Sequence, residues 1–217
     1  MVEVYVSKLR QLLGPPVVVT RSPGYLLDTG PKSVDVHWFE ALVAEGEEAS
    51  TAGEPQSAAS RFASALALWR GSPLADFTFE PFAQGEIVRL EELRLLAEEG
   101  RIDAEISLGR SAELVGELEQ LVALAPFRER YHAQLMLILY RAGRQADALE
   151  AYRRARQTLV EELGVEPGEE LRSLEHAILA QEAWLGGATR ADPSCSEGIA
   201  PSRHVGSCGA CGERTRR

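Results

Sequence analysis

The sequence lacks long hydrophobic runs, cysteines outside its last residues, and any familiar catalytic motif. No apolar run approaches the roughly 20 residues that span a bilayer, and the chain does not open with the basic and apolar regions of a secretory signal. No nucleophile elbow, HExxH helix or glycine-rich phosphate loop is present, and the four histidines are scattered. We therefore expect a cytoplasmic protein that is not an enzyme and has no membrane partner, catalytic residue or cofactor.

All three cysteines lie in the last 23 residues, which excludes a disulfide framework for the rest of the chain. Cys208 and Cys211 form half of a zinc site, with His204 and Cys195 as conceivable further ligands, but structural zinc needs four ligands in tetrahedral geometry. The surrounding residues are mainly glycine, serine, proline and arginine. We expect residues 186–217 to be a disordered tail that binds no metal.

Charge is distributed unevenly along the chain. Residues 1–30 carry a net charge of +1 and residues 186–217 a net charge of +2, whereas residues 31–185 hold 15 basic and 28 acidic side chains, a net of −13. Nucleic acid would repel this middle region. Any contact with DNA is therefore expected at the ends of the chain.

The middle region contains a segment that repeats at an offset of 34 residues, because Gly109-Arg110 recurs as Gly143-Arg144. A period of about 34 residues is typical of the tetratricopeptide helix pair. Such pairs stack to bury their apolar faces and leave a concave surface that binds another molecule. The sequence thus predicts a mainly α fold with a tetratricopeptide-like helical repeat domain. At the same offset, Ile102 matches Met136, Leu114 matches Ala148, Leu118 matches Tyr152 and Leu121 matches Ala155.

Helical periodicity and punctuation by glycine and proline predict the remaining elements. The first 13 residues form a helix, with Val2, Val6, Leu9 and Leu13 on one face. Strands Val17–Thr20 and Tyr25–Leu27 flank a turn in which Gly24 permits a positive φ. Asp35 is predicted to cap the next helix. Trp69, Phe77 and Phe79 are predicted to be core residues, and the alternative is that they line a ligand groove. The helix that begins at Asp35 is expected to end near Gly53, and the next helix is expected to present Phe62, Leu66 and Trp69. The later helices are expected to span Pro81–Leu108, Ser111–Leu124, Phe127–Ala142, Gln145–Leu163 and Pro167–Leu185.

Six blocks of the chain form a pattern that covers roughly residues 34–185. The blocks are Ala65–Gly71 (ALALWRG), Arg89–Arg94 (RLEELR), Gln134–Leu137 (QLML), Tyr140–Gln145 (YRAGRQ), Ala151–Ala155 (AYRRA) and Glu162–Pro167 (ELGVEP). In order and spacing they resemble the bacterial transcriptional activator domain of the streptomycete antibiotic regulatory protein family. The N-terminal segments Val4–Arg10 (VYVSKLR) and Thr20–Tyr25 (TRSPGY) resemble the recognition helix and wing of an OmpR-type winged helix.

This resemblance implies a transcriptional regulator of the activator type, with promoter DNA and RNA polymerase as partners and a homodimer on DNA. Residues 1–30 would be the recognition helix and wing, and residues 34–185 the activator domain. A complete winged helix has strands and a pair of helices ahead of the recognition helix, so we expect DNA binding to be lost by N-terminal truncation. The alternative is a protein-interaction scaffold that does not bind DNA. The DNA contacts implied by the resemblance are Tyr5, Ser7, Lys8, Arg10, Gln11, Thr20 and Arg21.

Overall fold

The computed structural model describes residues 2–14, 17–28 and 34–186. Its N-terminal part is a helix followed by a β-hairpin, and the remainder is helical, as the periodicity predicts. Short 3₁₀ turns occupy Ala75–Phe77 and Ala183–Gly186, and a π-helical turn occupies Leu159–Leu163. The elements are α1 (Val2–Leu13), β1 (Val18–Arg21), β2 (Gly24–Leu27), α2 (Asp35–Thr51), α3 (Pro55–Leu66), α4 (Pro81–Ser107), α5 (Ser111–Leu124), α6 (Glu129–Arg141), α7 (Gln145–Thr158) and α8 (Glu169–Ala180).

The hairpin β1–β2 is antiparallel, with Val18 paired to Leu27 and Arg21 paired to Gly24. Gly24 is thus the first residue of β2, and it is absent from the glycines with positive φ. The predicted role of Gly24 is therefore wrong: it serves as an extended strand residue rather than as a left-handed turn residue. Within the described part of the chain, this hairpin is the whole of the β-structure.

The same glycine turn joins three pairs of helices: α2 to α3, α4 to α5, and α6 to α7. Gly53, Gly109 and Gly143 have φ of 73°, 77° and 75°, a conformation that favours glycine. In each turn the amide after the glycine donates to a carbonyl five residues earlier, at 2.9 Å from Glu54 to Ala49, 3.1 Å from Arg110 to Glu105 and 2.9 Å from Arg144 to Leu139. This is the Schellman arrangement that satisfies the last carbonyls of a helix. The predicted repeat is confirmed, and it includes one more unit than the sequence analysis found.

The additional unit carries the same side-chain signature as the last one. Ala58-x3-Phe62-x2-Ala65 begins five residues after Gly53, as Ala148-x3-Tyr152-x2-Ala155 begins five residues after Gly143. These small and aromatic residues are buried in both units, because small residues allow paired helices to approach closely. The additional unit does not follow the 34-residue period, because Gly53 and Gly109 lie 56 residues apart, separated by a loop and the long helix α4.

The Phe62 ring occupies a slot between two other helices. A Cβ added to Gly46 in α2 would lie 2.7 Å from this ring, and a Cβ added to Gly100 in α4 would lie 2.6 Å from it. Both distances are shorter than carbon atoms tolerate, so glycine is required at each position for close approach rather than for its φ. The ring therefore fixes how α2, α3 and α4 pack.

Two buried clusters lie on either side of α4. One contains residues of α2, α3 and α4, including Phe39, Phe62 and Ala97. The other contains residues from the C-terminal half of α4 to the turn after α8, including Ile102 and Leu185. Arg141 links the ends of this second cluster, because its Nε donates to the Leu185 carbonyl at 2.9 Å and its Nη1 to the Ile106 carbonyl at 3.0 Å.

Several predicted helix ends differ in the structure. The N-cap of α2 is Val34, and Asp35 is the first helical residue, whose carboxylate pairs with Arg70 at 2.8 Å. The segment predicted as one helix, Gln145–Leu163, ends in the π-helical turn before Gly164, whose φ of 71° is the left-handed conformation that commonly follows the end of a helix. The last helix ends at Ala180 instead of near Leu185, because Gln181 adopts a left-handed conformation.

Candidate nucleic-acid interface

Helix α1 exposes most of the apolar face that the sequence predicts. Val6 is buried, but Val2, Leu9 and Leu13 of the same stripe are exposed. On the hairpin, Val18 is buried, whereas Leu26 and Leu27 are exposed. The helix and hairpin thus bury little apolar surface, and polar contacts must contribute to holding them together.

Arg10 makes those polar contacts between α1 and β1. Its Nε donates a hydrogen bond to the Val18 carbonyl at 2.8 Å, and its Nη2 donates to Thr20 Oγ1 at 2.7 Å. The guanidinium carbon lies 5.8 Å from the centroid of the Tyr25 ring on β2. The structure therefore directs Arg10 and Thr20 toward each other. The hydrogen bond between Arg10 and Thr20 does not follow from the sequence, because nothing in the local pattern shows that these two predicted DNA contacts lie next to each other.

The other predicted contact residues are exposed. Lys8 and Gln11 lie on the side of α1 opposite Val6, and Tyr5 and Ser7 flank them. Arg21 is exposed at the last position of β1, beside the hairpin turn. The structure thus leaves one side of α1 and the tip of the hairpin open to a large polar ligand.

Residues 34–186, which we call the helical body, contain one basic run, at the end of α7, and its arginines are paired with carboxylates. Arg153 and Arg154 pair with Glu150 at 2.7 and 3.3 Å, and Arg156 pairs with Glu166 at 2.6 Å. The hydrogen bonds from Arg156 lower the pKa of Glu166. This run is therefore an ion-paired and exposed face of a repeat helix.

A network of arginines and carboxylates joins α4 to α6. Arg128 donates to both carboxylate oxygens of Glu92, at 3.0 and 2.9 Å, and also to Glu99. These hydrogen bonds lower the pKa of Glu92. Gln134 donates to the Glu99 carbonyl at 2.9 Å and to Asp103 at 2.8 Å. The cations of this surface are engaged by carboxylates, so it offers little to a nucleic acid.

The aromatic residues near α4 that were predicted to be core residues are not all buried. Trp69 is half-buried, with its ring 5.4 Å from Phe39 in an edge-to-face arrangement and 5.1 Å from the Arg94 guanidinium. Phe77 and Phe79, however, are exposed to 46% and 96% and are not core residues. Spacing along the sequence does not reveal that this loop turns its rings outward. Of the two interpretations of these aromatics, the exposure of Phe77 and Phe79 contradicts the core and leaves the ligand groove open.

Catalytic and metal sites find no support in the described residues. His132 is buried, its Nε2 lies 2.9 Å from the Pro126 carbonyl, and burial lowers its pKa. No group of three or more metal-binding side chains occurs in residues 2–14, 17–28 and 34–186. In the same part of the chain, no helix is long and apolar enough to cross a membrane. The predicted disordered tail and its cysteines fall outside the described residues.

Comparison with known proteins supports the resemblance to the activator domain that the sequence blocks indicate. The family model "Bacterial transcriptional activator domain" matches residues 34–179. Regulatory protein DnrI of Streptomyces peucetius is 46% identical over 162 residues, which cover 75% of this chain and 60% of that protein. Transcriptional regulator RedD of Streptomyces coelicolor is 44% identical over 162 residues, which cover 75% of this chain and 46% of RedD.

A solved structure shows the same fold. Mycobacterium tuberculosis EmbR, in complex with low affinity phosphopeptide, matches with a TM-score of 0.76 and 37% identity over 83% of this chain and 49% of that chain. This chain therefore spans between about half and three fifths of the relatives named here. The family is one of transcriptional regulators and not of enzymes. The chain belongs to the bacterial transcriptional activator domain family, among the streptomycete antibiotic regulatory proteins.

Proposed function

We propose that this chain acts as a transcriptional regulator of the activator type, in which residues 34–185 contact proteins and residues 1–30 face DNA when they are part of a complete winged helix. The observation that carries this proposal is the activator-domain match over residues 34–179, together with 46% identity to a regulatory protein. The distribution of charge supports this division, because residues 31–185 have a net charge of −13 and residues 1–30 a net charge of +1.

The DNA contacts in this proposal come from the exposed side of α1 and the tip of the hairpin. Tyr5, Ser7, Lys8 and Gln11 are exposed on α1, where side chains of a helix in the major groove reach base edges and phosphates. Arg21 contacts the phosphate backbone or the minor groove from the hairpin.

Arg10 and Thr20 have a different part in the proposal. Their hydrogen bond joins α1 to β1, so they set the angle between the helix and the hairpin tip. Lys8 and Arg21 must reach the same duplex at the same time, and this angle decides whether they do. Arg10 and Thr20 are thus positioning residues, and any contact of theirs with DNA is additional.

The helical body supplies the protein contacts. We infer that RNA polymerase is its partner and that two copies bind side by side on promoter DNA. The ion-paired network of α4 and α6 supports this inference, because it leaves few free cations for nucleic acid on that surface.

An exchange of domains tests the activator role. Residues 34–186 of this chain replace the matching segment of DnrI, and transcription is measured from a reporter that responds to DnrI. We expect the hybrid to retain activation, whereas the same hybrid carrying Ala148→Trp loses it, because Ala148 is fully buried between paired helices. A folded hybrid that binds the reporter DNA without activating transcription would contradict the activator role.

A second exchange tests the DNA face. Residues 2–28 of this chain replace the matching residues of DnrI, and DNA binding is measured across a salt titration. Lys8→Ala and Arg21→Ala are each expected to weaken binding and to reduce the salt slope by about one phosphate contact. Val2→Ala, an exposed position on the Val6 side of α1 and away from Lys8, is the control in the same hybrid. Unchanged binding in both α1 and hairpin variants would favour the scaffold that does not bind DNA.

A further inference from the structure

The loop between α3 and α4 displays aromatic rings at the surface of the helical body. Phe79 is 96% exposed and Phe82 is 72% exposed, and the rings of Phe77 and Phe82 lie 5.6 Å apart. We call Phe77, Phe79 and Phe82 the aromatic patch. Exposed apolar groups that cluster in this way are typical of protein-binding surfaces.

The loop that carries the patch is ordered by hydrogen bonds of its own. The amide of Phe77 donates to the Leu74 carbonyl at 2.8 Å, that of Glu80 donates to the Phe77 carbonyl at 2.9 Å, and the Thr78 hydroxyl donates to the Ala75 carbonyl at 2.8 Å. Leu74 has a φ of 49°, which is unfavourable for a residue with a branched side chain. A conformation of this kind persists only where the surrounding structure enforces it, and it is often found at functional positions.

The aromatic patch continues into an apolar cleft along α4. Phe82, Glu86 and Leu90 follow one another at intervals of four residues, so they lie on one side of the helix. Glu86 and Leu90 line a cleft of about 320 Å³, whose walls include Phe39, Trp69 and Leu74. The patch and the cleft thus follow one another along the same side of α4 over two helical turns, with the Glu86 carboxylate between Phe82 and Leu90. We call this surface the α4 groove.

The charges around the α4 groove are mainly acidic. Asp76 and Glu80 flank the aromatic patch, and among the described residues neither has an ion-pair partner. The nearby arginines are engaged, since Arg70 pairs with Asp35 at 2.8 Å and Arg89 pairs with Glu40 and Glu86 at 2.6 Å. The rim therefore presents free carboxylates beside apolar anchors.

We propose that the α4 groove binds a basic amphipathic helix of a partner protein. Apolar side chains at i, i+4 and i+7 of that helix would contact the patch and the cleft, as in other complexes where a helix lies in a groove. Its lysines and arginines would face Asp76 and Glu80. The α4 groove is then the surface through which the helical body binds its protein partner, and in that respect the inference rests on the proposed function.

A synthetic peptide tests the chemistry without any knowledge of the partner. The probe is a fluorescent amphipathic helix with leucine at i, i+4 and i+7 and lysine or arginine elsewhere; its counterpart has glutamate in place of the basic residues. We expect the full chain to bind the basic peptide and not the acidic one. Phe79→Ser with Phe82→Ser should weaken binding by about tenfold or more, as loss of aromatic anchors does, whereas Leu124→Ser, a position 82% exposed on α5, should not change it.

The mutated positions are exposed, so unchanged thermal unfolding of the Phe79 and Phe82 variant is expected and checks that the protein remains folded. Equal binding of the basic peptide by the wild type and this variant would overturn the proposal. So would binding of the acidic peptide, or absence of binding to both peptides.

Photo-cross-linking identifies the occupant within the transcription machinery. Phe79→p-benzoylphenylalanine and, as a control, Leu124→p-benzoylphenylalanine are introduced into the full chain and irradiated with purified bacterial RNA polymerase. A cross-link from position 79 to a basic amphipathic helix of the polymerase is the expected result. A cross-link from position 79 to a second copy of this chain, or to an acidic segment, would overturn the proposal.

The two experiments separate the inference from the proposed function. Peptide binding that depends on Phe79 and Phe82, without any cross-link to polymerase, supports the groove and contradicts polymerase as the partner. Cross-linking to polymerase from position 124 alone supports the proposed function and overturns the groove.

Discussion

Residues 2–28 and residues 34–186 are built by different means. In the helix and hairpin, Val6 and Val18 are the buried apolar side chains among the described residues, and Arg10 joins the two elements by hydrogen bonds. In the helical body, α6 alone buries eight side chains, and a glycine turn recurs three times. The shape of the first region therefore depends on a few polar contacts, and that of the second on close packing. Substitutions should affect the two regions in correspondingly different ways.

The largest effect is expected from overpacking the helical body. Ala148→Trp places a large ring at a fully buried contact between α6 and α7 and should lower the free energy of unfolding by about 3 kcal/mol or more. Ala146→Trp, two residues earlier on the exposed side of α7, is the matched control and should change the free energy of unfolding little. Chemical denaturation of both variants provides the measurement; equal midpoints would mean that the repeat does not determine the packing.

A smaller loss is expected where the Phe62 ring lies between glycines. Gly100→Ala adds a Cβ that would meet the ring at 2.6 Å, so we expect a destabilisation of about 1–3 kcal/mol. Gly85→Ala, in the same helix but with open space around it, should stabilise the protein by up to about 1 kcal/mol. Opposite signs in thermal unfolding would support the slot, and a gain in both variants would contradict it.

In the helix and hairpin the corresponding test is Arg10→Met, which keeps the apolar stem and removes both hydrogen bonds. We expect a local loss of about 1–2 kcal/mol, seen as faster hydrogen exchange of the Thr20 and Tyr25 amides. The denaturation midpoint of the helical body should not move. Lys8→Met, on the exposed side of α1, is the control; a shift of the midpoint in the Arg10 variant alone would show that the two regions unfold together.

The smallest effect concerns Glu98 in α4, whose pKa is raised by burial. Because the folded state favours the protonated carboxyl, its stabilising contribution is present below the unfolded pKa and is lost as the pH rises through the folded value. Glu98→Gln should therefore increase stability at pH 7 by less than about 1 kcal/mol, and the gain should vanish toward pH 4. Glu91→Gln, exposed on the same helix, is the control. A gain that is independent of pH would contradict burial of the charge as its cause.

The parts of the fold that follow from local sequence could be predicted. Gly109 and Gly143 determine their turns through their own φ, and the small and aromatic residues after Gly143 allow its two helices to pack closely. Phe79 was misjudged because the helical period does not extend through a loop, so nothing local shows which way its ring points. The hydrogen bonds of Arg10 could not be predicted from the sequence, because its partners are a backbone carbonyl and a hydroxyl whose positions depend on the hairpin as a whole.

The Phe62 slot also limits how the sequence can vary during evolution. The position seven residues before the turn glycine is Gly46 in the first unit, Ile102 in the second and Met136 in the third, and the first of these is small because Phe62 occupies the space. A relative with a smaller side chain at position 62 can accept a larger one at position 46 or 100, and one that keeps phenylalanine cannot. These three positions should therefore covary, so that an exchange at one is accompanied by a compensating exchange at another.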